Sequence, residues 1–188
     1  GNNNIFIRLW HEIEKTKLGL LKKSRQEANE SKMKWFPYNK GGDFRKWYGN
    51  NEYVVNWEND GYYMRNLKDD AGKVPAHAFN LEYIFKENVT WNALTSYKFS
   101  ARYTDYGFLF DASGSFADVK TNDIKFILAF LCSAVTEYYL SAMNPTLNFQ
   151  KGNIAALPLV FSEDKRNTID NLVAENINVS KKDWDSFE

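Results

Sequence analysis

The run from residue 122 to 143 limits most strongly what this chain can fold into. Ile124, Ile127, Leu128, Leu131, Val135, Tyr138, Tyr139 and Ala142 recur there at steps of three and four. That period predicts a helix. Phe126, Ala129 and Phe130 make much of its other side apolar too, so the helix is expected to be nearly buried. Asn144 and Pro145 end it. A helix this apolar must be enclosed, and the rest of the chain offers short β-type runs at 35–38, 52–57, 89–94, 99–103 and 108–110. Turn signals separate them: Asn39 to Gly42, Asn59-Asp60-Gly61 as a hairpin turn into a strand at 62–67, and Asp111 to Gly114 ahead of Phe116. The implied fold class is α/β in the α+β sense, a mixed, mostly antiparallel sheet of short strands with one long buried helix.

The remaining segments are less regular. In 5–13, Ile5, Ile7, Leu9 and Ile13 share one face of a strand, whereas Phe6, Leu9, Trp10 and Ile13 share one face of a helix, and periodicity leaves both open. Residues 18–31 read as a marginal, exposed helix. Asp43 is expected to cap a short helix running to Tyr48 and ended by Gly49. Residues 69–74 and 146–154 read as loops. Ser162, with Glu163 and Asp164 behind it, caps a last amphipathic helix that turns Ile169, Leu172, Val173 and Ile177 inward. Ser180 to Asp183 reads as the capping box of a further helix. With a start at Gly1-Asn2-Asn3-Asn4 and no initiator methionine, the chain reads as a piece of a longer protein, divided into 1–160 and a C-terminal helix and linker at 161–188.

At 188 residues and 44% apolar content, the chain is long and hydrophobic enough for a proper core. No uncharged apolar run approaches the roughly 20 residues of a membrane span, so the reading is soluble and cytoplasmic, with no membrane partner. Cys132 stands alone and His11 and His77 are far apart, which leaves zinc little to bind and casts Cys132 as a buried, inert thiol. Net charge is zero, but it is unevenly spread. From residue 15 to 48 there are ten cations against Glu27, Glu30 and Asp43, and 162–188 holds seven acids against four bases. The densest overlap of cations, rings and glycines is 32–61, where Lys32, Lys34, Lys40, Arg45 and Lys46 alternate with Trp35, Phe36, Tyr38, Phe44, Trp47 and Tyr48. Such a stretch suits a phosphate-lined partner, while Trp35, Trp47 and Trp57 suit a core equally well.

Catalytic signatures are absent from the pattern. Ala142-Met143-Asn144-Pro145-Thr146 superficially resembles a methyltransferase catalytic loop but lacks its second proline and aromatic. Gly41, Gly42 and Gly49 have the wrong spacing for a nucleotide fingerprint, and Gly114-Ser115 lacks the second glycine of a nucleophile elbow. The chain reads as one that binds and does not catalyse.

The block from Trp35 to Asn50, followed by Val54 to Trp57 and Asn59-Asp60-Gly61, closely resembles the C-terminal half of BREX phage-defence adenine-specific DNA methyltransferases, the PglX-like family. Supporting likeness lies in Asn4 to Ile13 around Phe6, Arg8, Trp10 and Glu12, in Thr90-Trp91, in 99–103, 107–114 and 144–159, and in 183–188. The resemblance implies a DNA target recognition domain related to restriction-modification specificity domains, with the segment from Thr146 to Ile154 similar to the loop that closes such domains. It implies that the methyltransferase motifs and the S-adenosylmethionine site lie N-terminal to Gly1, with no cofactor in this piece, and it favours a strand for 5–13. The implied partners are double-stranded DNA, the N-terminal methyltransferase domain of the same protein, and other defence-system subunits.

The candidate DNA contacts follow from side-chain chemistry. Lys40, Lys46 and Lys151 suit phosphates, Arg45 and Arg102 suit bidentate contacts to guanine, and Asn39, Gln150 and Asn153 suit adenine edges. Each has a structural alternative: Arg45 pairing with Asp43 or Glu52, Arg102 bracing a strand against Asp105 or Asp111, Asn39 holding its turn. The rival class for the whole chain is a protein interaction module that docks a catalytic domain or a defence partner through its aromatic face.

Overall fold

The structure, a computed structural model, describes residues 3–74, 80–95, 97–144 and 146–186. His77 and Pro145, and with them the expected helix stop at Pro145, lie outside the described residues, as do Gly1, Asn2, Phe187 and Glu188. In chain order the elements are α1 (Asn3–Phe6), β1 (Ile7–Leu9), α2 (Arg25–Glu30), β2 (Trp35–Asn39), β3 (Tyr53–Asn56), α3 (Glu58–Asn66) and β4 (Asn88–Asn92). They continue with β5 (Ala101–Thr104), β6 (Leu109–Phe110), β7 (Gly114–Ala117), α4 (Ile124–Cys132), α5 (Ala134–Met143), α6 (Lys151–Ala155) and α7 (Arg166–Asp185). Mixed α and β elements with mostly antiparallel pairing agree with the α+β expectation, but the strands form two sheets rather than one. The chain divides into two compact units.

The first unit comprises Gly1–Asn39, Asn51–Lys86 and Asp105–Phe110. Its sheet has the order β1-β3-β2-β6, antiparallel except for the β2–β6 pair. Segment 5–13 divides its two readings: the chain leaves α1, runs as β1 beside β3, and turns into a 3-10 turn at Trp10–Glu12. Phe6, Phe36, Val55, Trp57, Ile84, Phe85 and Leu109 fill the core, with Phe36 and Phe85 edge to face at 5.5 Å. Asn59, Asp60 and Gly61 all take left-handed backbone, so the expected turn is present. The turn leads into helix and not strand, because it delivers Asp60 to Arg25 and Arg65. Gly61 lies at φ +69, and a Cβ there would sit 2.6 Å from the Trp57 ring. Helix in 18–31 is confined to α2, capped where the Ser24 hydroxyl accepts from the Glu27 amide.

The second unit comprises Lys40–Asn50, Glu87–Thr104 and Asp111–Glu188. Its sheet, β5-β4-β7, is antiparallel throughout. On β4, Val89 and Trp91 join the core with Leu128, Leu131, Leu140 and Val173 from the helices. Asn88, Thr90 and Asn92 alternate with them and are buried as well, a polar face that must be satisfied by hydrogen bonds.

The long helix expected at 122–143 is two helices, bent by 64°. Ser133 takes extended backbone, its hydroxyl donates to the Phe130 carbonyl, and the same oxygen accepts from the Thr136 amide. A serine that satisfies one helix end and caps the next stops the first helix. As a result α5 buries Thr136 and Leu140 while Val135, Tyr138 and Tyr139 are exposed. Leu172 of α7 is likewise exposed, although Val173 is buried and Ile169 and Ile177 pack on the core. The loop expected at 146–154 contains α6, and the capping box at 180–183 lies inside α7, which runs through to Asp185. Among the described residues, no single helix is long and apolar enough to cross a membrane.

Candidate nucleic-acid interface

In the second unit the segment Lys40–Asn50 is not the helix expected at 43–48. It is an irregular arm whose backbone is held by side chains from the sheet. Trp47 bridges β5 beside Arg102, its amide donating to the Ala101 carbonyl at 3.0 Å and its carbonyl accepting from the Tyr103 amide at 2.9 Å. Those bonds draw Trp47 out to φ +73, a conformation a bulky residue holds only when its surroundings impose it. Asn50 Nδ2 donates to the Asp43 carbonyl at 2.8 Å, and Asn92 Nδ2 donates to the Gly42 carbonyl. Behind Asn92, Arg102 Nη2 donates to Asn92 Oδ1 at 2.6 Å. The Ser113 hydroxyl donates to the Lys40 carbonyl at 2.8 Å. Long-range bonds from Asn92, Ser113 and β5 outcompete the local helix that Asp43 would start.

The structure places the eight sequence-derived candidates very differently. Asn39 ends β2 in the first unit and is buried. The other seven belong to the second unit. Arg102 is only 1% exposed, so its guanidinium does not reach a base edge and instead braces Asn92 behind the arm. Arg45 donates to Asp183 Oδ2 at 2.9 Å and lies 4.8 Å from the Trp184 ring, a partner far along the chain that local spacing does not reveal. Lys46 donates to the Cys132 carbonyl at 2.9 Å, where a cation suits the exposed carbonyls at the end of α4. Gln150 precedes α6, and Asn153 Oδ1 accepts from its amide at 3.0 Å. Lys151 is exposed, its ammonium 5.6 Å from the Phe116 ring. The arm therefore presents its tip, Gly42, Asp43 and Phe44, to solvent.

Around that tip lie residues the sequence reading missed. Tyr97 meets Phe44 edge to face at 5.5 Å, and Lys98 next to it pairs with Glu137 at 2.5 Å. That hydrogen bond and charge raise the Lys98 pKa and lower that of Glu137. Leu94 bridges Asn148, and the Phe149 amide donates to the Ala93 carbonyl at 2.6 Å, so the loop after β4 and the loop before α6 run together. The only signal for this cluster in the sequence is a set of apolar residues in turn-rich segments, which marks a surface and not its partner.

Among the described residues, the titrating groups with resolved shifts do not gather in one place. Burial pushes the Cys132 thiol up to about 11, which leaves it unreactive at neutral pH. A cleft of roughly 910 Å³ in the second unit is lined by Glu87, Tyr103, Asp123, Glu163, Arg166 and Asp170 among others, but Arg166 is held there by Asp123 at 3.0 Å and Glu163 at 2.9 Å. No group of three or more His, Cys, Asp or Glu suited to a metal ion occurs among the described residues.

No family model matches the chain. Along its whole length it is 42% identical, over 191 aligned residues, to the adenine-specific methyltransferase PglX of Lacticaseibacillus casei (strain Zhang). It is 37% identical over the same aligned length to the adenine-specific methyltransferase BrxX of Escherichia coli O9:H4 (strain HS). The chain spans 16% of the first relative and 14% of the second. It is thus homologous to one segment of much larger adenine-specific methyltransferases.

Proposed function

We propose that the chain is a double-stranded DNA target recognition domain of an N6-adenine-specific DNA methyltransferase of the BREX phage-defence type, without catalytic activity of its own. The observation that carries this reading is the match of all of the chain to two adenine-specific methyltransferases of which it covers 14 to 16%. The braced arm supports it. Base reading needs loops held rigidly on a scaffold, and here Asn92, Arg102 and Ser113 hold the Lys40–Asn50 arm. On this reading phosphate contacts from lysines such as Lys40 and Lys151 fix register, while polar groups at the arm tip and ahead of α6, Gln150 among them, read base edges. Arg102 and Asn92 act as positioning residues.

The methyl donor S-adenosylmethionine belongs to the rest of the enzyme. The target adenine is flipped into the methyltransferase domain, and contacts made here supply part of the unstacking energy, a few kcal/mol. Partners on this reading are duplex DNA, the methyltransferase domain and other defence subunits, in the cytoplasm. In vitro selection from a randomised duplex library with this chain as bait tests the reading. Enrichment of one motif is expected, and retained DNA without motif enrichment contradicts it.

A second reading has its own observation. Leu94, Tyr97 and Tyr138 are 71%, 60% and 73% exposed in the second unit, a composition that suits docking to a protein surface. Under that reading DNA binding is absent and the methyltransferase domain binds this face with little dependence on salt.

A further inference from the structure

The first unit carries a cation-rich segment that the eight candidate residues do not include. Segment 15–34 holds Lys15, Lys17, Lys22, Lys23, Arg25, Lys32 and Lys34 against Glu27 and Glu30. Two of these cations are engaged, Arg25 with Asp60 and Lys17 with Glu14. Among the described residues, Lys15, Lys22, Lys23, Lys32 and Lys34 have no carboxylate within ion-pair distance. Backbone geometry gathers part of the set: the Lys34 amide donates to the Lys17 carbonyl at 3.1 Å, and Leu18 bridges Trp35. Three ammonium groups lie over rings, Lys15 over Trp10 at 5.4 Å, Lys23 over Tyr106 at 5.0 Å and Lys34 over Trp35 at 5.7 Å. A ring beneath a lysine limits its freedom while leaving its charge uncompensated.

We propose that segment 15–34 of the first unit is a sequence-independent contact for the phosphate backbone of duplex DNA, formed by Lys15, Lys22, Lys23, Lys32 and Lys34. It rests on the recognition reading above and assigns to it a second surface, one that supplies affinity without information. Uncompensated lysines release counterions on binding phosphate and make affinity steeply salt-dependent. Leu20 and Leu21 are exposed on the same segment, so an anionic lipid surface is the competing occupant that the test must separate.

The test measures fluorescence anisotropy of a labelled random-sequence duplex with the full chain, from about 50 to 200 mM salt, the range over which phosphate binding changes affinity most visibly. The wild type is compared with a variant carrying Lys15→Gln, Lys22→Gln, Lys23→Gln, Lys32→Gln and Lys34→Gln, and with Lys165→Gln, Lys182→Gln as a charge control. Circular dichroism verifies folding. Removing one phosphate-neutralising lysine reduces the slope of log K against log salt by about 0.9, so the five-lysine variant is expected to lose about 4 to 5 from the slope while the control keeps it. Parallel runs use a duplex bearing the motif from selection and vesicles containing phosphatidylserine. A flattened slope with the ratio of motif to random affinity preserved supports the proposal. An unchanged slope overturns it and leaves motif recognition standing. A flattened slope with no motif preference in the wild type retains the phosphate surface and overturns the recognition reading. Absence of wild-type binding to duplex at low salt, with vesicle binding that the variant loses, overturns both in favour of a lipid surface.

Discussion

Two lysine-bearing segments of this chain use their charge in opposite ways. In the Lys40–Asn50 arm two of the three cations hold structural partners: Arg45 holds Asp183 and the Trp184 ring, Lys46 the Cys132 carbonyl. In segment 15–34 five lysines stand without a carboxylate partner, three of them over rings. The arm is a shaped object whose charges help to build it, whereas the lysines of segment 15–34 contribute charge to the surface. Density of cations along a sequence therefore does not distinguish a residue that fixes a loop from one that meets a phosphate. Burial and partners do.

The comparison breaks most readily at Arg102. Replacing it by Met removes the charged bond to Asn92 and leaves a buried acceptor unpaired, so unfolding in urea should show a loss of about 3 kcal/mol. An unchanged midpoint would mean that the arm is not braced from β5. Next in size is Gly49→Ala. Gly49 lies at φ +123 with Arg45 Cδ and the Trp184 ring within 2.9 Å of an added Cβ, and strain there should cost about 2 kcal/mol. Arg45→Ala should cost about 1 kcal/mol or less, since its pair with Asp183 is partly exposed and screened. The smallest effect belongs to the five-lysine variant of segment 15–34, whose unfolding free energy should stay within about 0.5 kcal/mol of wild type because exposed or half-exposed lysines without an ion pair hold little structure.

Acid sharpens the same contrast within the first unit. Burial tends to raise the Asp60 pKa, but the hydrogen bond from Arg25 and the charges of Arg25 and Arg65 outweigh it and hold the group below its usual value. A depressed carboxylate contributes stability that is fully present above its unfolded pKa, about 3.9, and is lost as pH falls through the lower folded value. Asp60→Asn should therefore reduce stability at neutral pH and flatten its decline below about pH 4, as monitored by thermal unfolding across acidic buffers.

Much of the sheet structure was legible in the sequence. Strands β2, β3, β4 and β5 stand where β-branched and aromatic runs end at Gly, Asn or Asp, and the turn before Phe116 forms through Asp111 accepting from Ser113 and Gly114. The structure departs from the expected elements where a distant partner, or one side chain's dual use, decides. Asp43 has the local chemistry of a helix cap, yet Asn92 lies 49 positions away and takes its carbonyl, together with that of Gly42. Ser133 sits in a flawless apolar period, and only its hydroxyl's dual use reveals the 64° bend. The sequence marked the arm as a cation-rich and aromatic stretch but not where its side chains are placed. Arg102 has the charge of a base reader and the burial of a brace, and no single-sequence pattern separates those two roles.

The most direct test of the central claim is an exchange of specificity. In the Lacticaseibacillus casei relative, the segment matching this chain is replaced by this chain, and N6-methyladenine is mapped across a host genome by long-read sequencing. The account predicts that the methylated motif changes to a new one while methylation continues. Methylation of the original motif by the hybrid would contradict it and assign target recognition to another part of the enzyme.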